Sequence, residues 1–264
     1  MRLATWNVNS IRARLERLVD WLASRRPDVV CLQETKCADD QFPFAELADV
    51  GYRAATFGQR TYNGVAILAR EEPADVVRGL QDGIEDPQSR AIAASFGALR
   101  VVCAYAPNGQ ALGSSAYAYK LAWFQRLRRT LETRHAPGEL LAVCGDFNVA
   151  PEPRDVYDPI GWEGQVLCSA PEREALAHLC GFGLRDVFRL HHPEAGRYSW
   201  WDYRMLSFAH NRGLRIDHLL VTDSLAERCR GCDIDRDARK GKKPSDHAPL
   251  WAELDLGGSL PPLA

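Results

Sequence analysis

Asn7, Glu34, Asn108, Asp146 and Asn148 each stand at the end of a short apolar run, Asp217 follows Ile216 within another, and Asp246 and His247 immediately precede a last one. Asparagine and aspartate are good turn formers, so any one of these positions alone reads as the end of a strand. Taken together they are harder to dismiss, because strand ends of one sandwich can converge on a single rim, where loops present chemistry on a rigid base. The acid inside "LRIDHLL" is costly to bury alone, so Asp217 needs a cationic or hydrogen-bonding partner, and a histidine is a good candidate.

Acids and amides without a cluster of His or Cys make an oxygen-rich site, which suits Mg²⁺ or Mn²⁺ rather than zinc. A hard cation held by a few carboxylates neutralises phosphoryl oxygens and helps an alkoxide to leave. An Asp–His pair orients an imidazole and supports its charge, and Asn and Tyr side chains bind non-bridging oxygens as charge builds. The chain has no GxSxG elbow, P-loop or GxGxxG, so covalent serine chemistry and nucleotide-fold binding fit poorly. From the residues alone, the set reads as a Mg²⁺-dependent phosphoesterase.

The elements that must position these groups alternate along the chain. Strands are read at Arg2–Asn7, Asp28–Glu34, Asn63–Ala69, Arg90–Phe96, Leu99–Pro107, Leu140–Asn148, Gly213–Val221 and Ala248–Leu256. A helix capped by Ser10 carries Ile11, Leu15, Leu18, Val19 and Leu22 at helical spacing and stops at Pro27, a basic helix spans about Tyr117–Arg134, and Pro171–Cys180 reads as helical. Many short strands with fewer helices between them predict a mixed sheet sandwich with helices outside, not a doubly wound parallel sheet. "TWNVNS" (Thr5–Ser10) and "DFNVAP" (Asp146–Pro151) echo each other, as two matching strand ends would.

The bulk numbers agree with one globular protein. The chain has 264 residues, is 46% hydrophobic and 26% charged, and carries a net charge of −2, so any grip on nucleic acid comes from a local basic face. It lacks a run of membrane-spanning length and an apolar leader after Met1, which reads as a cytoplasmic protein. Cys31, Cys103 and Cys144 lie in apolar strand-like runs and read as buried free thiols of a reducing compartment. Cys229 and Cys232 form a CxxC without a second ligand pair and read as thiols at a surface turn, not a zinc site.

"LATWNVNSIRAR", "LQETK", "YNGVAI", "YAPNG", "GDFNVAP", "WWDYR", "NRGLRIDHLLV" and "PSDHAP" together resemble the exonuclease III family of DNA repair nucleases, within the endonuclease/exonuclease/phosphatase superfamily. The motifs stand in family order from Leu3 to Pro249. The resemblance implies a mixed α/β (α+β) fold: a four-layer αββα sandwich of two mixed β-sheets flanked by helices. A single catalytic domain over residues 1–257 and a short tail at 258–264 are expected. The implied activity is Mg²⁺-dependent cleavage of duplex DNA at abasic sites and removal of 3′ nucleotides or blocking groups, by a monomer with no membrane partner.

Residue by residue, the resemblance makes Glu34 the main metal-binding acid with Asn7 beside it and Asp246 a second metal ligand. Asp217 pairs with His247, Asp146 aligns or deprotonates the attacking water or protonates the leaving group, and Asn148 and Tyr105 hold the scissile phosphate. It leaves open one metal or two, and His247 or Asp146 as the base. Asn9, Lys36, Arg90 and Asn108 become contacts to DNA phosphates near the site. "DYRMLSF" (Asp202–Phe208), with Arg204 and Met205, resembles the family loop that enters a DNA groove, and Trp200 and Leu214 match positions lining the pocket for an abasic sugar. Trp200 and Trp201 equally fit a core aromatic pair, and "RKGKK" (Arg239–Lys243) and the basic helix read as solvated faces.

Two departures bear on specificity. Gln110–Ala111–Leu112 stands where some relatives carry an arginine, and Leu167, in a stretch that varies among relatives, borders the sugar pocket and would crowd an abasic ribose. A member specialised in trimming 3′ ends, and a non-catalytic DNA-binding protein on the same fold, are the alternatives; the second predicts a lost ligand or base, and none is missing.

Overall fold

Burial on both faces explains the apolar runs. In "VVCLQ" (β2, Val29–Gln33), Val29 and Cys31 point into one core while Val30 and Leu32 point into another, so the strand shows no polar face. The computed structural model describes residues 1–257; the tail expected at 258–264 lies outside the described residues.

One sheet holds β1 (Arg2–Asn7), β2, β3 (Arg53–Phe57), β4 (Val65–Ala69), β11 (Cys229–Ile234) and β12 (Leu250–Leu254), in the order β11-β12-β1-β2-β4-β3. The other holds β5 (Ala74–Arg78), β6 (Ala91–Phe96), β7 (Leu99–Tyr105), β8 (Leu140–Asp146), β9 (Leu184–Asp186) and β10 (Asp217–Thr222), in the order β5-β6-β7-β8-β10-β9. Leu3, Val29, Ile67, Val101, Cys144 and Leu219 meet in the core between the sheets. Outside, Leu18, Trp21 and Leu22 of α1 (Leu15–Arg25), with Leu47 of the short α2 (Phe44–Ala48), cover the first sheet. Trp123, Phe124 and Leu127 of α3 (Ser115–Arg134), with Leu176 and Leu179 of α4 (Ala170–Cys180), cover the second. This is the expected four-layer sandwich, in which each buried aliphatic side chain contributes on the order of 1.5–3 kcal/mol.

Topology places the polar strand ends on one rim. The parallel pairs β1–β2 and β7–β8 all end there, while β12 and β10, antiparallel to β1 and β8, begin there. Asp217 and Asp146 are direct register partners. β1 and β8 occupy matching places, each between one parallel and one antiparallel neighbour, which gives the "TWNVNS"/"DFNVAP" echo a structural counterpart.

The structure corrects several readings. Asp217 opens β10; the strand expected from Gly213 is replaced by single bridges from Leu214 to Val156 and Trp200. Ser10 does not cap α1: it is left-handed (φ 84°) and precedes a 3-10 turn, Arg12–Arg14. Cys229 and Cys232 lie on the edge strand β11, not on a turn, and both are free thiols. The core reading of the tryptophan pair holds for Trp201, which is fully buried, and not for Trp200, which is only partly buried. Arg239 is not solvated: it is buried over the rings of Tyr203 and Phe208.

Gly145 shows how tightly the rim is set. A Cβ there would lie 1.8 Å from the Ala104 carbonyl oxygen, beside Asp146 in the β7–β8 ladder. Gly145→Ala is expected to cost about 3 kcal/mol of stability, measured by urea unfolding, because the strands must part.

Candidate active site

β1 and β2 deliver Asn7 and Glu34, and β8 delivers Asp146 opposite them. The Asn7 amide nitrogen donates to Glu34 Oε1 at 2.8 Å and to Asp146 Oδ2 at 2.9 Å, bridging the two sheets. Asp146 Oδ1 accepts the Asn148 backbone N–H at 2.9 Å, and its Oδ2 also takes the Asn148 side-chain amide at 3.2 Å. His247 Nδ1 meets Asp217 Oδ2 at 2.8 Å, which turns Nε2 towards Asp146 Oδ2, 3.8 Å away. The other oxygen of Asp217 is buried and has no protein partner.

The backbone is bent to make this possible. Asn9, Glu34, Lys36 and Asn148 all have left-handed φ values of 45–52°. Each costs about 1 kcal/mol or more, a strain that collects at functional sites. Ser199 Oγ accepts the Ile216 and Asp217 amides at 3.2 and 3.1 Å, and Ser245 Oγ donates to the Asn7 carbonyl at 2.7 Å while accepting the His247 amide at 3.3 Å. The sequence carries little signal for either serine: Ser245 sits inside "PSDHAP", next but one to His247, and Ser199 has no such neighbour. Lys120, a lone lysine in a basic helix, carries no such signal.

Burial of an acid among acids sets the electrostatics. Burial pushes Asp146 up to about 7, with Asp217 and Glu34 adding to the rise against the pull of His247. Burial alone would lower His247, but Asp217, Asp146 and Asp246 outweigh it and raise the imidazole to about 10. Glu34 is opposed by burial yet lies below the usual carboxylate range, through Lys36, whose ammonium is 2.8 Å from Oε2, and Asn7. Burial raises Tyr105 well above the usual phenol value, helped by Glu34 and Asp146, so it is a neutral donor at working pH.

The remaining expected residues divide clearly. Asn9 accepts from Lys36 Nζ at 2.6 Å and donates to Asp246 Oδ1 at 3.0 Å; the second oxygen of Asp246 takes Trp200 Nε1 at 3.0 Å. Asn108 is exposed and donates to Asn148 Oδ1 at 3.1 Å. Arg204 is 84% exposed on the 202–208 loop and paired with Asp202, beside Met205 at 79%. Two residues are placed differently from expectation. Arg90 is buried, with its guanidinium 4.7 Å from the Tyr105 ring centroid and bonded to Gln88 and the Tyr105 carbonyl. Leu214 has no exposed surface and packs with Leu167, Val156 and Ile216, so it lines no open pocket.

Glu34, Asp146 and His247 bring one donor atom each within 4.8 Å of one another; Asp246 is not part of that group. Two carboxylates and an imidazole at this spacing, with acids outnumbering nearby cations, fit a divalent ion. The fold and this rim, together with the relatives that match the chain, define the class of protein, a hydrolytic nuclease. Residues 4–247 match the model of the endonuclease/exonuclease/phosphatase family. Exodeoxyribonuclease III of Haemophilus influenzae is 39% identical over 96% of this chain and 100% of its own length. Among solved structures, a 3′ phosphatase from Neisseria bound to a product DNA hairpin aligns with a TM-score of 0.93 at 43% identity, covering 97% of this chain and 99% of that one. An AP endonuclease from Archaeoglobus fulgidus aligns with a TM-score of 0.93 at 38% identity, covering 97% and 100%. The chain therefore belongs to the endonuclease/exonuclease/phosphatase family, in its exonuclease III branch.

The raised imidazole yields a pH prediction. Its contribution to folding is fully present below the unfolded value near 6.5 and is lost as pH rises through about 10. In chelated protein, Asp217→Asn removes the strongest of the raising partners, so the alkaline fall in melting temperature should begin at lower pH than in the parent. Melts from pH 6 to pH 10.5 check this; coincident curves would contradict the assigned pairing.

Proposed function

We propose that the protein is a Mg²⁺-dependent DNA repair phosphodiesterase that cleaves duplex DNA 5′ to abasic sites and removes 3′ nucleotides or 3′-blocking groups, acting as a cytoplasmic monomer. The observation that carries this reading is the meeting of Glu34, Asp146 and His247 on one rim, with Asp217 behind the imidazole. Glu34 is the principal ligand for Mg²⁺ or Mn²⁺, with Asn7 beside it and Asp246 nearby as a second candidate ligand; in this structure Asn7 presents its amide nitrogen to the carboxylates and its Oδ1 accepts the Asn9 amide. The bound ion supplies neutralisation of charge on phosphoryl oxygens.

The chain's own groups do the rest. Asp217 fixes the ring of His247 through Nδ1, so Nε2 is presented to the site. Asp146, held by Asn7 and Asn148, orients a water or receives its proton, with His247 as the neighbouring charge. The neutral Tyr105 phenol and the Asn148 amide donate to non-bridging oxygens, and Arg90 acts by stacking on Tyr105. Lys36, Asn9 and Asn108 grip flanking phosphates, a contact that weakens as salt rises. Met205 and Leu206, both exposed at the tip of the 202–208 loop, form an apolar wedge beside Arg204.

A second reading, specialisation in 3′ ends with weak abasic-site activity, draws on Leu167 and Leu214. Both are buried in one cluster with Val156 and Ile216, at positions that the family resemblance gives to the sugar pocket. Three labelled duplexes separate the readings: an internal abasic site, a recessed 3′-hydroxyl and a 3′-phosphate. Comparable rates on all three support the broad activity, slow cleavage of the abasic duplex alone supports the specialist, and no cleavage of any rejects both.

Glu34→Ala, Asp217→Ala and His247→Ala should each lower turnover by roughly 10²–10⁴-fold in steady-state assays, with melting cooperativity retained. EDTA should abolish turnover reversibly without unfolding the protein. Near-parent Mg²⁺-dependent turnover in any variant would overturn that residue's role.

A further inference from the structure

Lys120 lies on the apolar side of α3 beside Trp123 and Phe124, and its side chain has no exposed surface. A buried ammonium is costly unless its donors are matched. This one has three acceptors for three protons: the Asn148 carbonyl at 2.6 Å, the Asn108 carbonyl at 3.1 Å and the Glu172 carboxylate. Each belongs to a different segment. Asn148 follows β8, Asn108 follows β7, and Glu172 is in the first turn of α4.

Glu172 extends the connection. It accepts the Leu167 amide at 3.0 Å, the Ser169 amide at 3.1 Å and the Ser169 hydroxyl at 2.5 Å, and Ser169 Oγ lies 2.6 Å from the Tyr117 hydroxyl. Gly109 leaves room for the lysine stem: φ is +94°, and a Cβ there would approach Lys120 Cδ to 3.2 Å. Two of its three acceptors are carbonyls of the loops that follow β7 and β8, so the ammonium ties those two loops to each other as well as to Glu172. Those carbonyls belong to the residues whose side chains form the relay Asn108 Nδ2 to Asn148 Oδ1, then Asn148 Nδ2 to Asp146 Oδ2.

We propose that Lys120 is a positioning residue for the nuclease reaction: its ammonium clamps the Asn108 and Asn148 backbones to each other and, through Glu172, to the 167–169 segment, holding the two side-chain amides at working distance from Asp146. Lys120 touches no substrate itself. The proposal rests on the phosphodiesterase reading above and adds to it a residue from the helical layer.

Lys120→Met removes the clamp but strands Glu172, so Lys120→Met/Glu172→Gln, which leaves neither charge buried alone, is tested with it, and Glu172→Gln serves as the control. The parent is assayed first on a labelled 3′-phosphate duplex and an abasic-site duplex; an inactive parent defeats the nuclease reading itself. In the folded clamp variants kcat should fall roughly 10- to 100-fold while KM and duplex affinity shift by no more than about twofold, because small misplacement of reacting groups acts on turnover. Glu172→Gln removes the counter-charge but leaves Lys120 both carbonyls, so its kcat should fall less than that of either clamp variant. Unchanged kcat in a folded clamp variant overturns the proposal. So does equal loss in kcat and affinity, or failure of both clamp variants to fold at the assay temperature, which would make Lys120 a core residue only.

Discussion

Asp146 is a buried carboxylate facing two others, and the rest of the site is arranged around that cost. An isolated buried acid would take up a proton and leave the chemistry idle. Here the strain is shared. Asn7 and Asn148 donate to Asp146, the imidazole of His247 faces it, and Asp217 stands behind the imidazole as its counter-charge. Burial raises Asp146, and the surrounding acids raise His247, so the pair holds on to protons that a nearby positive ion would displace.

The sandwich makes that cluster affordable by bringing it from both sheets at once. Asn7 and Glu34 come from one sheet and Asp146 and Asp217 from the other, and the Asn7 side chain bridges the gap. Parallel pairs at the centre of each sheet and antiparallel strands beside them put strand ends and strand beginnings on one rim. The left-handed residues then turn the side chains inward over a rigid base.

Much of this was legible in the sequence because burial on both faces leaves apolar strands whose polar ends stand out. Asn7, Glu34, Asp146, Asp217 and His247 stand out on that pattern and converge. The edge strands of the second sheet leave little trace: β5 is mostly exposed and β9 has three residues, so neither carries a clear period. Asp217 was read inside a strand because Leu214 and Ile216 continue the apolar pattern, although they serve a separate small cluster. Leu214 and Arg90 carry residue types that suit a DNA contact, yet both are buried, and solvent exposure depends on contacts far away in the chain. Ser199 and Lys120 act through backbone groups of other segments, a role that leaves no local signature.

The central claim is that the buried acid–imidazole cluster is built to close on a divalent ion. Its most direct measurement is calorimetric titration of Mn²⁺ into chelator-freed protein near pH 6.5, in two buffers of different ionisation enthalpy, for the parent and Glu34→Gln. The account predicts one-site binding with release of on the order of one proton, lost or greatly weakened in the variant. Binding without proton release, or equal binding by Glu34→Gln, would contradict it.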